Sequence, residues 1–227
     1  MLSIQRTYPL LLLITLAGCG GKQYLAPAPG ANILPGSKYE AVAFADGVRV
    51  TVNGNAWKGE PSNLQNVMTP IRVTIVNNST EPLSIRYSDF TLVTENNLRV
   101  KPIAPYNMRG SVPGPARPIT PAFGYSGFWI SPYYSHFYGP AFAPWPGYFP
   151  YGYYDTVWVQ FPVALPTEDM LEYAIPEGVL RPGGRISGFL YFPELGKEVK
   201  QPTFVANLVD AETQGRFGTV SIPMVQG

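Results

Sequence analysis

Short runs in which apolar and polar residues alternate one for one, each closed by a turn pair, constrain this chain more than any other feature. Val48, Val50 and Val52 alternate with Arg49 and Thr51 between Asp46-Gly47 and Asn53-Gly54. Ile71, Val73 and Ile75 share one face while Arg72 and Thr74 take the other, and Asn77-Asn78-Ser79-Thr80 then turns the chain into Leu83, Ile85 and Tyr87. Phe90, Leu92 and Val93 continue the pattern up to Glu95-Asn96-Asn97. A side-chain period of two puts one face of a strand in a core and leaves the other in water. Further strands are expected over 39–45, 157–161, 186–192, 204–209 and 217–222, and Asp46-Gly47 is a strong hairpin signal. One wet face per strand suits an antiparallel sandwich.

The rest of the composition agrees. Twenty-five prolines and 23 glycines in 227 residues argue against long helices, and no strand alternates with a long helical pattern, so a βαβ nucleotide-binding fold is not expected. One short helix is expected after Thr167. That threonine can cap it, Glu168 and Asp169 suit the positive end of its dipole, Met170, Leu171 and Tyr173 form an apolar stripe, and Pro176 stops it. A single cysteine excludes an internal disulfide framework. Charged residues make up 14% of the chain, and once residues 1–18 are set aside the two signs balance. Such a chain lacks the basic stripe that phosphate-backbone binding needs, so nucleic acid is not an expected partner.

Near the amino end, Arg6 is followed by an apolar run over 9–17, broken only by Thr15 and too short for a mature membrane-spanning helix. The string Leu16-Ala17-Gly18-Cys19 resembles a bacterial lipobox. The resemblance implies cleavage just before Cys19 and its modification with diacylglyceryl and acyl (palmitate-type) groups, which would make this a lipoprotein with a signal peptide over 1–18. Gly20, rather than Asp, after the cysteine resembles the pattern of outer-membrane lipoproteins in Gram-negative hosts. The expected location is therefore the cell envelope, lipid-anchored through Cys19. An ordinary signal peptide before a chance cysteine, or an apolar terminal helix, is the plainer alternative, but the Gly/Lys and Pro/Ala/Gly residues after Cys19 offer nothing to bury it. Residues 19–37 are expected to be a flexible tether, since that composition buries too little apolar surface to offset its ordering entropy. Residues 38–227 are expected to form one β-sandwich domain.

Residues 69–92 (TPIRVTIVNNSTEPLSIRYSDFTL) resemble the central hairpin of immunoglobulin-like accessory domains of bacterial lipoproteins, as do residues 180–192 (LRPGGRISGFLYF). The telokin-like extracellular domains are the group named by that likeness. It covers only part of the chain and implies no catalytic residues or cofactor. The expected fold is all-β, an immunoglobulin-like antiparallel sandwich with one short helix and a long insertion over 103–154.

Between Arg117 and Asp155 the insertion carries no charged residue. Aromatics crowd it, among them Phe128, Trp129, Tyr133, Tyr134, Phe137, Tyr138, Trp145 and Tyr148, and Pro-Ala-Phe recurs at 121–123 and 140–142. Frequent proline excludes a regular helix or central strand, leaving an irregular loop. Three readings compete: a low-complexity excursion over the sandwich, an adhesive surface for an envelope protein or the headgroup layer, and a platform for stacking on the sugars of peptidoglycan or another glycan. The sugar reading is the weakest, since this interval has no Asp, Glu, Asn or Gln to bond hydroxyls.

Catalysis is not expected. His136 is the only histidine; Ser126 and Ser135 are near it in sequence, without a Gly-x-Ser-x-Gly elbow or a neighbouring acid. One histidine and one cysteine do not make a zinc site, and no acidic loop has calcium spacing. Glu168, Asp169 and Glu172 suit a helix's first turns better than a glycosidase pair. Residues 181–185, Arg-Pro-Gly-Gly-Arg, read as a turn into a sheet rather than a phosphate loop. An envelope hydrolase is the competing class, and it requires an acid close to His136.

Overall fold

The alternating runs become two antiparallel sheets packed face to face in the computed structural model, which describes residues 24–119 and 157–227. In chain order the strands are β1 (Leu25–Pro27), β2 (Glu40–Ala45), β3 (Val48–Asn53), β4 (Met68–Asn77), β5 (Leu83–Ile85), β6 (Phe90–Val93), β7 (Arg99–Val100), β8 (Ser111–Ile119), β9 (Val157–Ala164), β10 (Gly178–Leu180), β11 (Arg185–Pro193), β12 (Thr203–Asp210) and β13 (Arg216–Gln226). Helix α1 (Glu168–Tyr173) lies between β9 and β10. The all-β, immunoglobulin-like sandwich with a short helix is thus the fold of the described residues.

One sheet runs β11-β4-β3-β2. Val48, Val50 and Val52 of β3, with Ile71, Val73 and Ile75 of β4, point from it into the core, each at most 1% exposed. The β2–β3 turn is Asp46-Gly47, both at positive φ (46° and 78°), which matches a two-residue hairpin to the strands' own twist. The other sheet runs β1-β13-β12-β5-β10, with β6 also on β12 and β7 on β6. Strands β5 and β6 occupy successive stretches of one edge of β12, opposite 209–210 and 203–206 respectively. A 3-10 turn over Tyr87–Asp89 carries the chain between them, so Tyr87 ends outside the strand to which the alternation assigned it. Phe204, Ala206 and Leu208 of β12 and Val220, Ile222 and Met224 of β13 complete the core.

Two expectations need correction. The tether expected over 19–37 is too long. Leu25–Pro27 forms β1, paired with 224–226 of β13, and Leu25 (1% exposed) enters the core. A single bridge from Leu25 to Gly54 ties β1 to the other sheet as well. A Cβ on Gly54 would overlap the Leu25 carbonyl, so the close approach requires glycine. Ala/Pro/Gly composition concealed this because one leucine supplies most of the buried surface. The insertion expected over 103–154 is also not irregular throughout. Pro105–Asn107 forms a 3-10 turn, and Ser111–Ile119 is β8, paired with β9. Proline did not prevent pairing because a strand needs N–H donors only at alternate positions. The Pro113↔Pro162 pair can only be one of the non-hydrogen-bonded pairs of the ladder.

Candidate interaction site at the root of the insertion

Residues 185–193 place apolar side chains on both faces of β11. Leu190 and Phe192 enter the sandwich core, while Phe189 and Tyr191 point the other way into a second cluster with Trp57, Leu64, Met68, Met108 and Met170. A strand apolar on both faces must be covered on both. The cover consists of the 54–67 connection, the turn around Met108 and helix α1.

Trp57 is the centre of this cover. Its ring meets Phe189, Tyr191 and Tyr173 edge-on, with centroid distances of 5.2, 5.8 and 6.3 Å. Edge-to-face packing sets the positive rim of one ring against the negative face of another. The indole Nε1 donates to the Pro61 carbonyl at 3.0 Å, so its one polar group is satisfied. The Tyr191 hydroxyl, fully buried, donates to the Met170 carbonyl at 3.0 Å near the end of α1. Burial above all, then the neighbouring Tyr87 and Asp169, pushes its ionisation well above the ordinary phenol range.

Helix α1 is clipped to the same connection. Thr167 caps it as expected, its Oγ1 accepting from Met170 N at 3.3 Å. The same hydroxyl donates to the Glu60 carbonyl at 2.5 Å, and Asp169 Oδ2 accepts from Glu60 N at 2.7 Å. Met170 is fully buried and Tyr173, 43% exposed, meets Trp57 with one edge, but Leu171 is 53% exposed and drops out of the expected stripe. The acids proposed for this helix therefore have a structural account in Asp169. Nearby, Glu177 accepts from Tyr87 N at 2.9 Å and from the Tyr106 hydroxyl at 3.4 Å. Burial, followed by Glu177 and Tyr106, pushes the Tyr87 phenol up to about 12.

From this cluster rises a two-stranded ribbon, β8 and β9. Val112 at its root is buried, Asn63 Nδ2 donates to the Pro113 carbonyl at 2.6 Å, and Leu165 N donates to the Gly110 carbonyl at 3.0 Å. Pairing runs from Ser111↔Ala164 to Ile119↔Val157, with a bulge between Pro113 and Ala116. Prolines 113, 115 and 118 remove donors from β8, which discourages pairing of its other edge, unpaired among the described residues, with another strand. The ribbon delivers the chain into the aromatic interval and receives it back.

Cys19, His136, Phe128, Trp129, Tyr133, Tyr134, Phe137, Tyr138, Trp145 and Tyr148 all lie outside the described residues. Within the described residues, no group of three or more His, Cys, Asp or Glu could hold a metal, and no helix is long and apolar enough to cross a membrane. The sequence reading missed the Trp57–Phe189–Tyr191 cluster. Its signal was the string Phe189 to Phe192, apolar on both phases of the strand. No family model, curated protein or solved structure matches the chain.

Proposed function

We propose that this protein is a lipid-anchored envelope protein, held at a membrane through acylated Cys19, with a non-enzymatic binding or structural role exercised through its aromatic insertion. In a host with two membranes the anchor belongs in the outer one. The observation that carries the reading is the ribbon. An insertion without charge but rich in Tyr, Trp and Phe leaves from Ile119 and returns at Val157, two residues paired with each other on a stalk rooted in a second packed cluster. A paired ribbon of this kind brings both ends of the insertion to one place, and rings with a polar handle are the side chains enriched where proteins meet partners. The partner is an envelope protein or glycan recognised mainly by ring contact.

The test replaces 121–154 with a short Asn-Gly turn. The variant keeps a cooperative unfolding transition within about 1 kcal/mol of the parent, since both described clusters are closed by residues outside 121–154. It loses the envelope components that cross-link to the parent in intact cells. An unchanged cross-linking profile overturns the binding role. The anchor is read separately, from the mass of the amino-terminal peptide beginning at Cys19.

A further inference from the structure

Tyr24, the first described residue, lies at one end of the sandwich, and that end is built as a surface of its own. The Tyr24 ring packs edge-on against Tyr39 at 5.7 Å, and its carbonyl accepts from Gly227 N at 3.0 Å. Gln226 N in turn donates to the Lys200 carbonyl. Lys200 N and Gln201 N both donate to Glu95 Oε1, at the turn between β6 and β7 whose far side is Leu98. Tyr39, Leu98 and Lys200 therefore sit on one continuous rim.

Its exposed apolar side chains are Tyr39 and Leu98, the latter 62% exposed. Beside them stand Lys38, Arg99, Lys197 and Lys200, all exposed and none in an ion pair among the described residues. Four acids stand among these cations, and one of them, Glu40, is in an ion pair. Its own backbone N–H first, then those of Gln201 and Lys200 and the Lys200 charge, hold the Glu95 carboxyl below the usual range, so it carries its charge. Glu40 binds Arg72 at 2.7 Å, while Glu194 and Glu198, whose carboxylate lies beside Gly196, are both exposed.

Four residues separate Cys19 from Tyr24, and the five steps between them reach at most about 17 Å at full extension. Strand β4 alone, ten residues long, extends roughly 33 Å. An acyl group on Cys19 therefore keeps this end, and not the Asp46-Gly47 end, next to the lipid. We propose that the rim formed by Tyr24, Lys38, Tyr39, Leu98, Arg99 and Lys200 docks on an anionic headgroup layer and sets the sandwich upright on the membrane that carries the anchor. This rests on the acylation of Cys19 for its setting, but the rim's affinity is a property of the folded chain. Rings and a leucine at headgroup depth, flanked by cations, are what such a layer accepts.

The experiment uses residues 19–227 with Cys19→Ser, which contain the whole described fold and no acyl group. Sedimentation with vesicles of phosphatidylcholine and phosphatidylglycerol, against phosphatidylcholine alone, gives the affinity. Binding is expected only with the anionic lipid and weakens with salt. The triple variant Lys38→Glu, Arg99→Glu, Lys200→Glu lowers it by roughly tenfold or more. The double variant Tyr39→Ser, Leu98→Ser also weakens it. Phe44→Ser, on the hairpin at the opposite end and 67% exposed, leaves it unchanged. Absence of binding to the anionic vesicles, or binding indifferent to both rim variants, overturns the proposal. Finding Cys19 unmodified in cells overturns the anchor instead and leaves the vesicle result standing.

Discussion

Asn77 joins more of the molecule than any other polar side chain described. Its Nδ2 donates to the Glu81 carbonyl at 2.8 Å and the Leu180 carbonyl at 2.9 Å, while its Oδ1 accepts from Ser79 N and Ser79 Oγ. Its backbone N donates to the Gly184 carbonyl, and its carbonyl accepts from Gly183 N. One fully buried residue thus closes the turn after β4 and holds the turn before β11. Asn77→Asp removes both donors and leaves two carbonyls facing a carboxylate. It should cost about 2–4 kcal/mol in denaturant unfolding, with Asn77→Ala slightly less severe. Tyr191→Phe removes only the bond to Met170 and should cost about 1 kcal/mol. In sequence, Asn77 looked like any turn residue, because nothing local says that the residues at 180–184 will be its partners. Trp57 was similarly opaque: a tryptophan beside Lys58-Gly59 suits a turn equally well, and only the long-range contact with β11 assigns it to a core.

At the level of elements, the strands that alternate cleanly were legible, and β3 and β4 have the facing that their valines and isoleucines dictate. Strands held by position rather than pattern were not. Strand β1 has three residues, β10 has three, and β8 is heavy in proline, so each depends on a partner distant in sequence. The strand β1 is the most exposed to test, since Gly54 admits it only by having no side chain. Gly54→Val should displace Leu25 and cost about 2–3 kcal/mol, the worth of one buried leucine. Proteolysis at residues 24–28 should accelerate well before global unfolding. An unchanged cleavage pattern would mean that the β1–β13 pairing alone holds the strand. The candidate interaction residues themselves were legible as a composition, and β9 as a strand, but their pairing into a ribbon was not, because proline-rich β8 was read as loop.

For the molecule as a whole, titration limits the range of stability on both sides. The Tyr87 and Tyr191 phenols are raised in the folded state, so the stability they contribute is complete below the ordinary phenol range, roughly pH 10, and is lost as pH rises through the folded value, about 12 for Tyr87. Unfolding monitored against alkaline pH should steepen above 10, and the double variant Tyr87→Phe, Tyr191→Phe should flatten that limb. Asp210 is lowered, mainly by the Glu212 N–H at 2.7 Å, with Thr213 adding to it; Glu95 is lowered as well. Their contribution is present above the usual carboxylate range and disappears as pH falls through their depressed values. Asp210→Asn keeps the acceptor for Glu212 and should make stability less acid-sensitive. The pairing of β1 with β13 also bears on how the protein is made. Leu25 and Gln226 are some two hundred residues apart in sequence, so the ladder between them carries the largest loop-closure cost in the sheet. A chain delivered amino end first presents β1 long before β13 exists to receive it. Until then Leu25 has no place in a core, and residues 25–27 have no strand to pair with. Completion of the last strand then draws residues 25–27 into the sheet, so a strand made among the first is placed among the last.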